Sequence, residues 1–304
     1  MQAIKRLSTA ALLGLGLGVS GVQAQEPVVV SSKIDTEGSV LGQLIIQTLN
    51  AHDVPTDNRL QLGGTSIVRG AIKAGEIDLY PEYTGNGAFF FDRADQPGWN
   101  DAETAYETVA ELDRERNELI WLQPAPANNT WAMSVRRGLA EREGLASLDD
   151  LADYLNKGGD FRFAASAEFV DSESALPAFQ QAYGFTLGAD QLLVLSGGDT
   201  AATLRAAAQD DNDVNGAMTY GTDGGVSALG LVVLKDNRGV QPVYQPAPVV
   251  RASVLEAYPS IDDHLEPLFA TLDVETLQSL NARVAVQGQP ASEVAADYLE
   301  QLDR

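Results

Sequence analysis

From residue 28 onward the chain alternates between two rhythms. Short apolar runs that read as strands are followed by stretches whose apolar residues recur at helical spacing. Few architectures accept that order: largely parallel sheets with helices packed on their faces. Val28, Val29 and Val30 form the first buried-strand candidate, and Val40, Leu41, Leu44, Ile45 and Leu49 then share one helical stripe. Ile67, Val68, Ala71 and Ile72 make a second stripe, with Gly75 where a helix C-cap belongs. Residues 77–80, 119–122 and 130–135 read as strands and 101–117 as an exposed helix. A second set of units follows. Ser147 and Asp150 are spaced as a capping box, and 161–165, 192–195, 214–220 and 231–234 are strand candidates with helices between them. Residues 236–248, rich in Pro, Gly and polar side chains, read as a connector, and the remainder is mostly helical. No internal repeat is detectable. The fold class is α/β, and one arrangement that accommodates the order is two lobes hinged by crossing segments near 130–136 and 238–250.

The N-terminus reads as an export signal. Lys5 and Arg6 precede an apolar, Gly-containing stretch over 10–19, and Val22-Gln23-Ala24 fits a small-x-small cleavage site. Cleavage after about Ala24 leaves a mature chain beginning at Gln25. The chain carries 43 Asp and Glu against 20 Lys and Arg, a net charge of −23. Phosphate backbones and anionic lipid repel such a surface, so no nucleic-acid partner is expected. With no cysteine, disulfides, thiolate catalysis and lipid attachment through an N-terminal Cys are excluded. His52 and His264 are the two histidines and neither has a motif-like context, so neither a metal site nor a cofactor is expected.

Enzyme signatures are weak. Residues 225–229 (Gly-Val-Ser-Ala-Leu) miss a nucleophile elbow by the last residue. Asp78 and Glu82 could serve a secreted carboxylate hydrolase, but so many acids form pairs by chance. Asp211, Asp213, Asn215 and Gly216 match the start of a calcium loop. Its twelfth position is Thr222, where a bidentate Glu is needed, so a solvated turn is the plainer reading.

Three aromatics sit beside turns at strand ends: Tyr83 before Thr84-Gly85-Asn86, Trp131 after Asn128-Asn129-Thr130, and Tyr220 before Gly221-Thr222-Asp223-Gly224. Open α/β sheets bind ligands at such ends. Any one of them is more ordinarily core or rim; three in one topological setting point to a shared site. Ring faces in a dry cleft attract a cation without N–H donors, such as a quaternary ammonium. Lys33, between the first strand and the first helix, suits a ligand carboxylate, although an ordinary solvated lysine fits the spacing as well.

These residues resemble a known family. Ser32-Lys33 with Thr36-Glu37, the run Gly75-Glu76-Ile77-Asp78-Leu79-Tyr80-Pro81-Glu82-Tyr83-Thr84-Gly85, Pro126-Ala127-Asn128-Asn129-Thr130-Trp131, Ala165-Ser166-Ala167-Glu168-Phe169, Ala182-Tyr183-Gly184-Phe185 and Tyr220-Gly221-Thr222-Asp223-Gly224 recur in order in the glycine-betaine and choline substrate-binding proteins of osmoprotectant ABC importers. The likeness covers the mature chain and is strongest to the low-affinity enterobacterial type. It implies a two-lobed, type II periplasmic-binding-protein clamshell. Residues 25–131 plus 239–304 would form lobe 1 and 132–238 lobe 2, after a signal peptide over 1–24. It implies a monomeric periplasmic binding component, not an enzyme, that delivers a small zwitterion to a membrane permease. By the same resemblance Tyr83, Trp131 and Tyr220 fall on an aromatic box, Lys33 and Asn86 on the carboxylate side, and Asn129 and Glu168 on lobe-closing positions, with Thr222 and Asp223 supporting them. Ser172 stands where relatives often carry a carboxylate-clamping Arg, and Leu204 aligns near another box Tyr. Both departures predict modest affinity. A hydrolase, or a binding protein for another small ligand, remains the alternative.

Overall fold

The computed structural model describes residues 26–195 and 200–302. The expected signal peptide lies outside the described residues. Ten strands are found among them: β1 (Val28–Lys33), β2 (Thr56–Gly63), β3 (Leu79–Tyr83), β4 (Leu119–Trp121), β5 (Trp131–Arg136), β6 (Phe163–Ser166), β7 (Leu192–Leu195), β8 (Gly216–Tyr220), β9 (Leu231–Val233) and β10 (Pro246–Arg251). They form two five-stranded sheets, ordered β2-β1-β3-β10-β4 and β7-β6-β8-β5-β9. In the first, β1 is parallel to β2 and β3 while β10 is antiparallel to β3 and β4. The second repeats the plan: β6 is parallel to β7 and β8, and β5 is antiparallel to β8 and β9. The result is the two-lobed type II clamshell. Each sheet takes its antiparallel strand from chain that has just crossed from the other lobe.

Alternating side chains send each strand's residues into two layers. Val28, Val30, Leu79 and Val250 pack with Val40, Leu41, Leu44, Ile45 and Leu49 of the helix Thr36–Ala51. Tyr80, Trp121 and Val249 face the opposite way, onto Val68 and Ile72 of the helix Thr65–Ala74 and Val109 of the helix Ala102–Asn117. In the second lobe Phe163, Ala165 and Met218 bury against Leu151, Phe169 and Phe179, while Ala164 and Ala217 bury against Leu204 and Val226. The capping box at Ser147 and Asp150 is present, and Gly75 takes the left-handed conformation at φ 74°.

Two strands escape the sequence pattern. β2 (TDNRLQLG) is a polar edge strand, paired only to β1, and charged side chains on such an edge discourage further pairing. β10 begins inside the run read as a connector, because Pro246 and Pro248 argue against a central strand, and extends past its end. The carbonyl of Gln245 accepts from Thr84 N, so 246 and 248 turn their nitrogens away from β3. They turn them past the end of the three-residue β4, where their carbonyls accept from Ala125 and Leu122.

The crossing segments run side by side. Asn129 N donates to Tyr244 O (2.9 Å), and Tyr244 N donates to Asn128 Oδ1 (2.8 Å). A third bridge comes from the helix Val274–Ala285, whose Leu277 and Leu280 belong to the first-lobe core. Its Gln278 donates to Gly221 O (2.7 Å) and its Asn281 to Thr222 O (2.9 Å). Backbones approach so closely here that a Cβ on Gly224 would lie 2.2 Å from Ala282 N. Gly224→Val should therefore destabilise the protein by at least about 1–3 kcal/mol. Urea unfolding measures this, with Gly138→Ala, where a Cβ meets open space in an exposed stretch of helix, as the near-neutral control.

Candidate ligand-binding site

β1 and β3 are parallel neighbours, so their C-terminal ends deliver Lys33 and Tyr83 to one edge of the first lobe. Lys33 is buried and forms an ion pair with Glu82, while its Nζ rests 4.3 Å from the centroid of the Tyr83 ring. Glu82 is fully buried. It also accepts from Tyr80 OH (3.0 Å), Tyr83 N (2.7 Å) and Asn86 Nδ2 (2.7 Å). A buried carboxylate needs this many donors to offset its lost hydration. The arrangement commits Asn86's amide nitrogen and part of Lys33's charge to Glu82.

The second lobe contributes from the first residue of β5 and the last of β8. Trp131 lies directly opposite Tyr220 in the antiparallel ladder, which places both rings on one face. Phe169 meets the Trp131 ring edge-on at 5.8 Å. The indole N–H makes no hydrogen bond, although it lies close to the Tyr220 hydroxyl. Burial raises the Tyr220 pKa, the nearby indole acts against that, and the charges of Asp223, Glu168 and Asp35 add to the rise. Asp223 fixes the turn by accepting from Tyr220 N (2.8 Å) and Thr219 Oγ1 (2.9 Å).

The first-lobe half meets this second half at Glu37. The Tyr83 hydroxyl donates to Glu37 Oε1 (2.7 Å), as does Asn129 Nδ2 (3.2 Å), and the buried Thr222 side chain bonds to the same carboxyl. Burial holds the Tyr83 phenol well above its ordinary pKa, with the Glu37 and Asp35 carboxyls adding to the rise. Asp35 thus acts on both Tyr83 and Tyr220, one ring from each lobe.

Sequence reasoning missed Tyr244. Burial pushes its phenol up to about 12, with Tyr220 and Glu82 close enough to add to the rise. A Cβ on Gly85 would come within 2.9 Å of the Tyr244 ring, so glycine at 85 is what lets the ring lie flat there. Its position in a Pro- and Gly-rich connector, outside any strand pattern, concealed it. Glu37 was visible only as part of a resembling motif.

Leu204, on the helix Thr200–Gln209, is buried among Ala164, Val214 and Val226 in the second-lobe core. Ser172 is half-buried and shares a hydrogen bond with Ser174 (3.0 Å). Glu168 is exposed on the second lobe, near Tyr220. The carboxylates considered for hydrolysis are engaged elsewhere, Asp78 with Val29 N and Arg251 and Glu82 as above. Among the described residues no group of three or more side chains is placed to hold a metal ion, and no helix is long and apolar enough to cross a membrane.

Residues 26–301 match the model of the OpuAC family, described as the substrate-binding domain of an ABC-type glycine betaine transport system. The chain is 60% identical over 280 residues to the glycine betaine-binding protein YehZ of Escherichia coli K12, covering 92% of each. It is 31% identical over 294 residues to a glycine-betaine-binding protein of Pseudomonas aeruginosa PAO1, covering 94% of this chain and 91% of that one. The apo structure of YehZ from E. coli superposes with a TM-score of 0.87, covering 91% of this chain and 99% of that one. These relatives are binding proteins, not enzymes. Lys33→Met should leave Glu82 buried without its cation and cost about 3–5 kcal/mol. The urea midpoint reads this loss, and adding Glu82→Gln should recover part of it.

Proposed function

The chain belongs to the OpuAC family of substrate-binding domains of ABC-type glycine betaine transport systems, and we propose that it captures a quaternary-ammonium compatible solute, glycine betaine first, and passes it to a membrane permease. The observation that carries this reading is the Trp131–Tyr220 cross-strand pair with Tyr83 and Tyr244 around the same junction. A trimethylammonium group offers no N–H, so ring faces rather than acceptor oxygens stabilise it, at about 0.5–2 kcal/mol each. Lys33 has N–H groups beyond the one given to Glu82, and with Asn86 it serves the ligand carboxylate. The mechanism is non-covalent: ligand enters between the lobes, Glu168 swings in as they close, and water is excluded.

The protein works as a periplasmic monomer with the signal peptide removed after about Ala24. Its lobes comprise 25–131 plus 239–304, and 132–238, with the boundary residue Trp131 already paired into the second sheet. Ser172 in place of an arginine forgoes a charge-assisted bond worth about 1.5–3 kcal/mol, and the Lys33–Glu82 pair weakens the remaining cation. Tyr244 supplies the ring that Leu204 lacks.

Isothermal titration with glycine betaine should give a Kd on the order of tens of micromolar to millimolar. Trp131→Ala should weaken it at least about tenfold without lowering Tm, since the half-buried indole supports little of the core. Sub-micromolar binding would overturn the modest affinity. No binding, with a response to proline betaine, choline or carnitine instead, would reassign the ligand.

A further inference from the structure

Both halves of the cleft converge on Glu37, in the first turn of the helix Thr36–Ala51. Oε1 accepts from Tyr83 OH and Asn129 Nδ2, and Oε2 accepts from Asn281 Nδ2 (2.7 Å). The Thr222 side chain bonds as well. These partners come from β3, a crossing segment, the helix Val274–Ala285 and the turn after β8. Of the charged and titratable neighbours, Asp35 faces Glu37 from the residues just before its helix and the Tyr83 phenol faces it from β3. The Lys33–Glu82 pair lies behind the Tyr83 ring. Asn129, Thr222 and Asn281 are neutral, and Asp223 is turned to Thr219 and Tyr220 N. Among the described residues no cation hydrogen-bonds to the carboxyl. Burial raises its pKa from 4.5 to about 7, the bonds to Thr222, Tyr83 and Asn281 pull back, and Asp35 adds to the rise.

A second observation is independent of titration. Asn129 Oδ1 and Asn281 Oδ1 are both buried without a partner. They belong to the two amides whose nitrogens bond Glu37. Turning either amide over presents an acceptor to a protonated carboxyl. The junction can therefore hold Glu37 in either protonation state.

We infer that Glu37 is a positioning residue whose charge state sets how tightly the cleft grips a cationic ligand, acting through the Tyr83 ring. An ionised Glu37 accepts a strong hydrogen bond from the phenol, which enriches the ring face, and places negative charge near the cation; a protonated Glu37 accepts more weakly and places none there. By reciprocity a bound quaternary ammonium favours the ionised form, so binding releases a proton. This inference rests on the quaternary-ammonium reading above.

The test is titration calorimetry with glycine betaine at pH 6, 7 and 8, in two buffers of different ionisation enthalpy. A ligand that lowers the Glu37 pKa by one unit tightens binding up to about tenfold. Several-fold weaker binding at pH 6 than at pH 8 is expected, with buffer-dependent heat near pH 7. E37Q should bind with a flat profile near the pH 6 value of the unaltered chain. Thermal melts check its fold. A carboxyl raised to about 7 stabilises the folded state fully below pH 4.5, and that contribution is lost as pH rises through 7. The unaltered, ligand-free chain should thus lose Tm relative to E37Q between pH 5 and 8. A pH-independent Kd, or a slope that survives in E37Q, overturns the inference and leaves the functional reading standing. If neither glycine betaine nor proline betaine, choline or carnitine binds at any pH, the functional reading falls. The Tyr83 ring resonances of the ligand-free protein then decide the coupling: a shift centred near pH 7 that E37Q abolishes supports it, and no shift overturns it.

Discussion

The structure depends on each sheet completing itself with a strand from chain that has just crossed between lobes. β5 arrives from the first lobe and pairs with β8 and β9; β10 returns and pairs with β3 and β4. The hinge is therefore continuous with two ladders of backbone hydrogen bonds, one inside each lobe, which anchor its two ends. The same constraint places the rings. Tyr83 ends β3, Tyr220 ends β8, Trp131 begins β5 and Tyr244 sits two residues before β10. All four lie where a strand gives way to, or emerges from, a crossing or a turn.

Much of this was legible. Strands with buried β-branched or aromatic runs were visible because burial on both faces leaves no polar alternation to confuse them. Tyr83, Trp131 and Tyr220 stood out through turn residues beside them. β2 was hidden because an edge strand buries little, and β10 because its prolines are tolerated only by the shortness of β4. The two sheets share one topology, yet no repeat appears in the residues, since topology needs hydrophobic pattern rather than identity. Glu37 was hidden for a different reason. An acid in a first helical turn is ordinary, and its partners Asn129 and Asn281 lie 92 and 244 residues away.

The cleft base is unusually polar for a buried region. Glu82 and Glu37 are each surrounded by donors, and the helix Val274–Ala285 closes over the second of them. Polar clusters of this kind add little net stability, because hydration lost is only matched by bonds gained. They do select one arrangement: a shift of either lobe that breaks a bond leaves a buried carboxyl short of donors. The close approaches at Gly221 and Gly224 act in the same sense, since any larger residue would hold the backbones apart.

The Lys33 ammonium rests over the Tyr83 face. That ring thus already has one positive neighbour, itself held by the buried Glu82 carboxylate. A zwitterion adds no net charge to a body at −23. Retention of a solute without net charge is then largely indifferent to ionic strength, because screening acts on net charge and a zwitterion carries none.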